Sequence, residues 1–139
     1  MEQRDERRAP AITEELIPEI LTGWVACLRG NPNACLRVDE RGFAERNLLR
    51  AILRVARSEG NDEQALQALA QAASRYGGLQ SIHRVDPGEV IRQFGCLRSE
   101  IELVLASRCS ADTAFGMLVR VDAALSVATL SVIRAGHSL

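Results

Sequence analysis

Between Thr113 and Ala135 the chain carries only three charges, Arg120, Asp122 and Arg134. Ala114, Leu118, Val121, Leu125, Ala128, Val132 and Ala135 recur there at alternating spacings of four and three, the mark of one helix face. Phe115, Met117, Val119, Val127, Leu130 and Ile133 fall on other faces. A helix that is apolar on several sides has to be buried on several sides. In so small a domain, that predicts the domain's own core on one side and another chain on the other. Ser110 is placed to cap this helix, read as about 111–135. Its least charged stretch, Ala123 to Ile133, is eleven residues, too short to span a membrane.

The other patterned segments also repeat at three and four. No period-two run of β-branched residues occurs anywhere. Residues 1–12 read as a charged, frayed tail and 13–136 as a single domain. Ile17, Ile20, Leu21, Trp24, Val25 and Leu28 make the first apolar face, and Pro18 suits a first helical turn. Residues 31–42 read as a loop or a short turn of helix. A second helix over about 43–58 sets Phe43, Leu48, Leu49, Ile52 and Leu53 opposite Arg46, Arg50, Arg54 and Arg57, a solvated face. Asp62 caps a third helix carrying Ala65, Leu66, Leu69, Ala73 and Tyr76, with Gly77-Gly78 as either a packing point or a break. Asp86-Pro87-Gly88-Glu89 opens a fourth, where Asp86 caps, Pro87 takes the first position and Glu89 can close a capping box. The fold class is therefore all-α, a compact bundle of about five helices.

Composition excludes several function classes. Apolar residues are 47% and charged residues 25%, which fits a folded domain and not a disordered one. A net charge of −1 leaves no bulk positive field for nucleic acid. All 17 basic residues are arginine, so lysine nucleophiles are absent. Cys27, Cys35, Cys96 and Cys109 form no C-x-x-C pair, and His83 and His137 complete no zinc set. With no apolar leader at the N-terminus, the expectation is a cytoplasmic chain with free, buried thiols. No nucleophile elbow or phosphate loop accompanies the single interior histidine, so no enzyme is expected, and neither metal nor cofactor. His83 would be the only credible axial ligand if the bundle held a haem.

The segment from Ala72 to Asp86 (Ala-Ala-Ser-Arg-Tyr-Gly-Gly-Leu-Gln-Ser-Ile-His-Arg-Val-Asp), continued by Pro-Gly-Glu-Val-Ile-Arg-Gln-Phe-Gly-Cys-Leu-Arg98 and Ser-Glu-Ile101, resembles a bacterial signalling domain. That family is the N-terminal regulatory domain of RsbR-type stressosome proteins and RsbRD-type sensor histidine kinases. Phe94 matches its aromatic and Leu97-Arg98 its Leu-Arg pair. Tyr76, Gln80 and Gln93 stand where a histidine, an arginine and an acid are usual. Glu19 to Trp24 resembles the family's first helix and Val121 to Leu125 its last, so the likeness spans about 14–135.

The resemblance implies a haem-free, globin-like, dimeric regulatory domain without catalysis. It would relay a signal through its last helix to a kinase or stress-complex effector. The expected relay and dimer residues are Leu118, Val121, Leu125, Ala128 and Val132. The expected sensory or pocket region is Trp24, Tyr76, Gln80, His83, Phe94 and Arg98. The expected partners are a second copy and a signalling protein, with neither nucleic acid nor membrane. The alternatives are a haem- or small-ligand-binding globin-like sensor and a helical protein–protein adaptor.

Overall fold

A computed structural model describes residues 2–29, 38–58, 62–82 and 86–137. They form α1 (Glu2–Arg29), α2 (Val38–Arg57), α3 (Glu63–Ile82), α4 (Pro87–Arg108) and α5 (Ala111–His137), with no strand among the described residues. The helices form a ring in the order α1, α2, α3, α5, α4, and α2 also reaches across it to α5. α5 thus packs against α2, α3 and α4, while α1 lies over α2 and α4.

Local chemistry fixes three of the helix starts. Asp62 accepts from the Ala65 amide at 3.1 Å, which caps α3. Asp86 accepts from the Glu89 amide at 2.9 Å with Pro87 in the first turn, which caps α4. Ser110 accepts from the Thr113 amide at 3.3 Å before α5. The Cys109 amide closes α4 by donating to the Leu105 carbonyl at 2.9 Å.

α1 is longer than its apolar pattern. Helix runs from Glu2, through the stretch read as a frayed tail, and Pro18 lies inside it rather than at its start. Residues 2–8 are good helix formers with acids near the N-terminus, which the helix dipole favours. The Pro18 ring is exposed, so its missing hydrogen bond falls outside the core. α2 likewise begins at Val38, five residues ahead of the reading from Phe43.

The core is continuous. Leu16, Ile17, Ile20, Trp24 and Leu28 of α1 meet Leu48, Leu49, Ile52 and Leu53 of α2 and Leu97, Ile101 and Leu105 of α4, all buried. α5 contributes Ala114, Met117, Val121, Ala124, Leu125, Ala128 and Val132 to the same core. Arg120 of α5 adds a polar tie by donating to the Ala56 carbonyl in the last turn of α2. Arg46, Arg50 and Arg57 are exposed, as a solvated face requires.

Two of the cysteines depart from the free-thiol reading. Cys27 and Cys96, 69 residues apart, form a disulfide that joins α1 to α4, with their Cα atoms 6.3 Å apart. That spacing lies inside the range a disulfide spans. Cys27 is exposed, while Cys96 is half-buried and packs against the core. No C-x-x-C motif marks the pair, because helix packing and not sequence spacing brings it together. Cys109 is a partly buried free thiol, and Cys35 lies outside the described residues.

α3 passes through Gly77-Gly78 without a break. A β-carbon on Gly77 would stand 2.8 Å from the Val132 carbonyl oxygen and 2.9 Å from the Ala135 β-carbon, so Gly77 permits the close approach of α3 and α5. Gly78 has nothing within 4 Å of that position. The two glycines should therefore respond in opposite directions. Gly78→Ala should stabilise the protein by up to ~1 kcal/mol, the helix-propensity gain. Gly77→Ala should destabilise it by ~1–3 kcal/mol, because backbone must shift. Urea unfolding followed by circular dichroism measures both.

Candidate functional site

Of the six residues expected to form a sensory region, the structure brings three together. Trp24 of α1, Tyr76 of α3 and Phe94 of α4 form an aromatic stack in the core. Ring centroids are 6.0 Å apart between Trp24 and Tyr76 and 5.9 Å between Tyr76 and Phe94. Trp24 and Tyr76 are fully buried. Buried aromatics with polar atoms need partners for them, and both find one residue. The Trp24 indole donates to the Gln93 carbonyl at 2.9 Å. The Tyr76 hydroxyl donates to the Gln93 side-chain oxygen at 2.6 Å.

Gln93 is therefore the centre of the cluster, although it was not among the expected site residues. It is 1% exposed, one of two buried polar or charged side chains among the described residues, the other being Glu45. A signal for it existed in the sequence. Gln93 falls four residues before Leu97 and three after Val90, on the apolar face of α4, where a polar residue needs a partner.

The polar chain continues outward from Gln93. Its side chain also hydrogen-bonds Glu89. Glu89 accepts from Arg92 through two bonds, Nε at 2.9 Å and Nη2 at 2.8 Å. This bidentate pair anchors the Glu89 carboxylate within the first turns of α4. The hydrogen bonds from Arg92 hold the Glu89 carboxyl below the usual carboxylate range, against its partial desolvation. Arg92 in turn reaches the Cys96 sulfur at 3.7 Å. A connected path thus leads from the Trp24–Tyr76 stack to the Cys27–Cys96 bridge, along the seam of α1 and α4.

The other three expected residues lie elsewhere. Arg98 is at the surface, where it pins α4 to α5. Its Nε meets Asp122 at 2.9 Å and its Nη1 meets Glu102 at 2.5 Å. Both carboxylates, Asp122 foremost, raise its already high pKa. The Gln80 side chain and all of His83 lie outside the described residues.

The expected relay row faces inward. Val121, Leu125, Ala128 and Val132 are buried in the chain's own core, and Leu118 packs partly buried against it. Sequence periodicity correctly found one face of α5, but that face serves α2, α3 and α4. The apolar residues that meet solvent are Phe115 (72% exposed), Val119 (55%), Val127 (39%) and Leu130 (55%), on the opposite side. Over Ala111–Ala135 the helix is also long and apolar enough to cross a membrane, contrary to the reading from its eleven-residue uncharged stretch. Only four charges, Asp112, Arg120, Asp122 and Arg134, fall within it, and its inner face is used for packing.

The stack and its polar chain hold no nucleophile–base pair. They suit coupling of α1, α3 and α4 through shared hydrogen bonds. No protein-family model matches this chain, and neither does a curated protein or a solved structure.

Tyr76→Phe removes the donor to Gln93 without changing shape, so it should cost about 1–2 kcal/mol in urea unfolding. Glu89 supplies a pH test. Its native pKa lies below the unfolded value, so its contribution is complete above about pH 4.3 and disappears as pH falls through the lower native value. Glu89→Gln should melt below the parent at neutral pH, and the two melting temperatures should converge in acid. A gap that stays constant down to about pH 3 would contradict the assignment.

Proposed function

We propose that the chain is a non-catalytic, cytoplasmic regulatory domain that works as a homodimer. It takes a signal at its N-terminal helices and relays it through α5 to a kinase or stress-signalling partner. The class of partner, like the haem-free globin-like character, rests on the resemblance of residues 14–135 to stressosome-type regulatory domains. The observation that carries the reading is the outer face of α5. The core is complete without Phe115, Val119, Val127 and Leu130, yet all four stand in solvent on one helix. Such a row is what a partner-binding surface leaves open in the isolated chain.

The relay follows from what α5 touches. Its inner face packs on α2, α3 and α4, and α3 and α4 share the Tyr76–Gln93 bond with α1 through Trp24. A change in how α1 sits on α4 therefore reaches α5 through packed elements. The Cys27–Cys96 bridge lies on that same α1–α4 seam. Disulfides are rare in a reducing cytoplasm, and those that occur there are usually transient.

Light scattering should give a mass of twice 15.2 kDa for the native chain. Tyr76→Phe, which lies in the core and far in sequence from the outer face, should shift the dimer dissociation constant about fivefold or more if the cluster and α5 are coupled. A folded Tyr76→Phe protein that dimerises with unchanged affinity would contradict the relay. A native chain that stays monomeric at high concentration would contradict the reading as a whole.

A further inference from the structure

The Cys27–Cys96 bridge has two unlike ends. Cys27 lies in the last turn of α1 and is exposed, whereas Cys96 on α4 is half-buried and packs against the core. Arg92 stands one turn before Cys96, and its Nη1 reaches the Cys96 sulfur at 3.7 Å. The guanidinium is held in that position. Its Nε and Nη2 both donate to the Glu89 carboxylate, at 2.9 and 2.8 Å, while Nη1 is left for the sulfur.

These differences set the direction of thiol chemistry. In thiol–disulfide exchange a thiolate attacks one sulfur of a bridge and the other sulfur leaves as a thiolate. Access favours attack at the exposed end, Cys27. Departure is favoured at the sulfur whose developing negative charge meets a cation, and Arg92 supplies that cation at Cys96. Both effects select one course. An attacking thiolate RS⁻ bonds to the Cys27 sulfur, the bridge breaks, and its electron pair stays on Cys96 as a thiolate. A second RS⁻ then attacks the RS sulfur of the Cys27 adduct, which releases RSSR and the Cys27 thiolate. The bridge is thereby reduced to a dithiol while two thiols are oxidised to RSSR. In reverse, the Cys27 thiolate attacks RSSR and expels one RS⁻. The Cys96 thiolate then attacks the Cys27 sulfur and expels the other.

We propose that Cys27 and Cys96 form a reversible exchange site for small thiols and their disulfides, in which Cys27 carries the mixed disulfide and Cys96 resolves it. Arg92 is the positioning residue that favours Cys96 as the leaving sulfur. The site goes beyond the homodimer reading and does not depend on it, since it needs α1 and α4 alone. Exposed bridges are the labile ones, which suits a bridge that opens and closes. Its place in the fold gives the exchange a structural consequence. The bridge, the Trp24–Gln93 bond and the Glu19–Arg108 pair all tie α1 to α4. Trp24 lies three residues before Cys27, and Gln93 three before Cys96. Opening the bridge therefore loosens the seam within one turn of the chain's single tryptophan.

The test uses the full chain with Cys35→Ala and Cys109→Ala, reduced and then exposed to glutathione disulfide, with products read by intact mass. The parent pair should close its bridge and retain no glutathione. Cys96→Ala should retain one glutathione, on Cys27, whereas Cys27→Ala should take it up roughly tenfold more slowly. Reduction of the bridge by glutathione should slow roughly threefold or more in Arg92→Ala and recover in Arg92→Lys, which keeps the charge. Trp24 emission should change as the parent bridge opens and stay constant when Cys27→Ala meets the same reductant. One arm needs no change at the pair: acid quenching partway through reduction of the parent, then peptide mapping, should find glutathione on Cys27. Glutathione on Cys96 instead, equal uptake by the two single variants, or a parent bridge that millimolar glutathione leaves closed would overturn the exchange site. An Arg92→Ala rate equal to the parent's would overturn the part assigned to Arg92, and Trp24 emission indifferent to the bridge would overturn its coupling to the seam.

Discussion

Three helices bury their apolar faces against one side of α5, and the rest of the bundle is arranged around that contact. Val121, Ala124, Leu125, Ala128 and Val132 form a continuous inner surface. Gly77 brings α3 close enough for its backbone to lie against Val132 and Ala135. Arg120 adds a bond to the end of α2, and Arg98 of α4 locks onto Asp122. α1 then closes the ring from outside by resting on α2 and α4. A helix committed in this way on one side cannot turn its other side inward. Phe115, Val119, Val127 and Leu130 are left in solvent as a geometric consequence of the inner packing.

Much of this was legible in the sequence. The caps at Asp62, Asp86 and Ser110 announced three helix starts, because capping is a local interaction that spacing reveals. The excess of apolar residues in α5 over what one packed face needs is matched by an apolar row left in solvent. Which surface serves which role was not legible. Periodicity finds a face but carries no label for the neighbour it meets, and the regular row at Leu118, Val121 and Leu125 turned out to be core. The Cys27–Cys96 bridge was hidden for a similar reason: a contact across 69 residues depends on how α1 lies on α4. Gln93 was partly visible as a polar residue on an apolar face, but its aromatic partners, Trp24 and Tyr76, come from other helices. α1 exceeded its apolar pattern because residues 2–8 are mostly helix-forming side chains, a signal that apolar periodicity does not carry.

The polar chain from Tyr76 through Gln93, Glu89 and Arg92 gives the core a defined connection to its surface. A core made only of aliphatic side chains tolerates small sliding of one helix on another. Directional hydrogen bonds at Gln93 tolerate less, since moving α1, α3 or α4 breaks one of them. The chain ends beside Cys96, so the disulfide and the aromatic stack report on the same α1–α4 seam. That seam is made by α1 and α4 and the outer face belongs to α5, so the input and output of the proposed relay lie on different helices of one packed unit.

The central claim is that one face of α5 builds the domain while the other builds a dimer. Hydroxyl-radical footprinting across a range of protein concentrations tests it directly, because it reads side-chain exposure at each residue. The account predicts that Phe115, Val119, Val127 and Leu130 lose reactivity together as concentration rises. Leu103, exposed on α4 outside this face, should stay reactive throughout. Reactivity of the α5 row that does not change with concentration would contradict the claim.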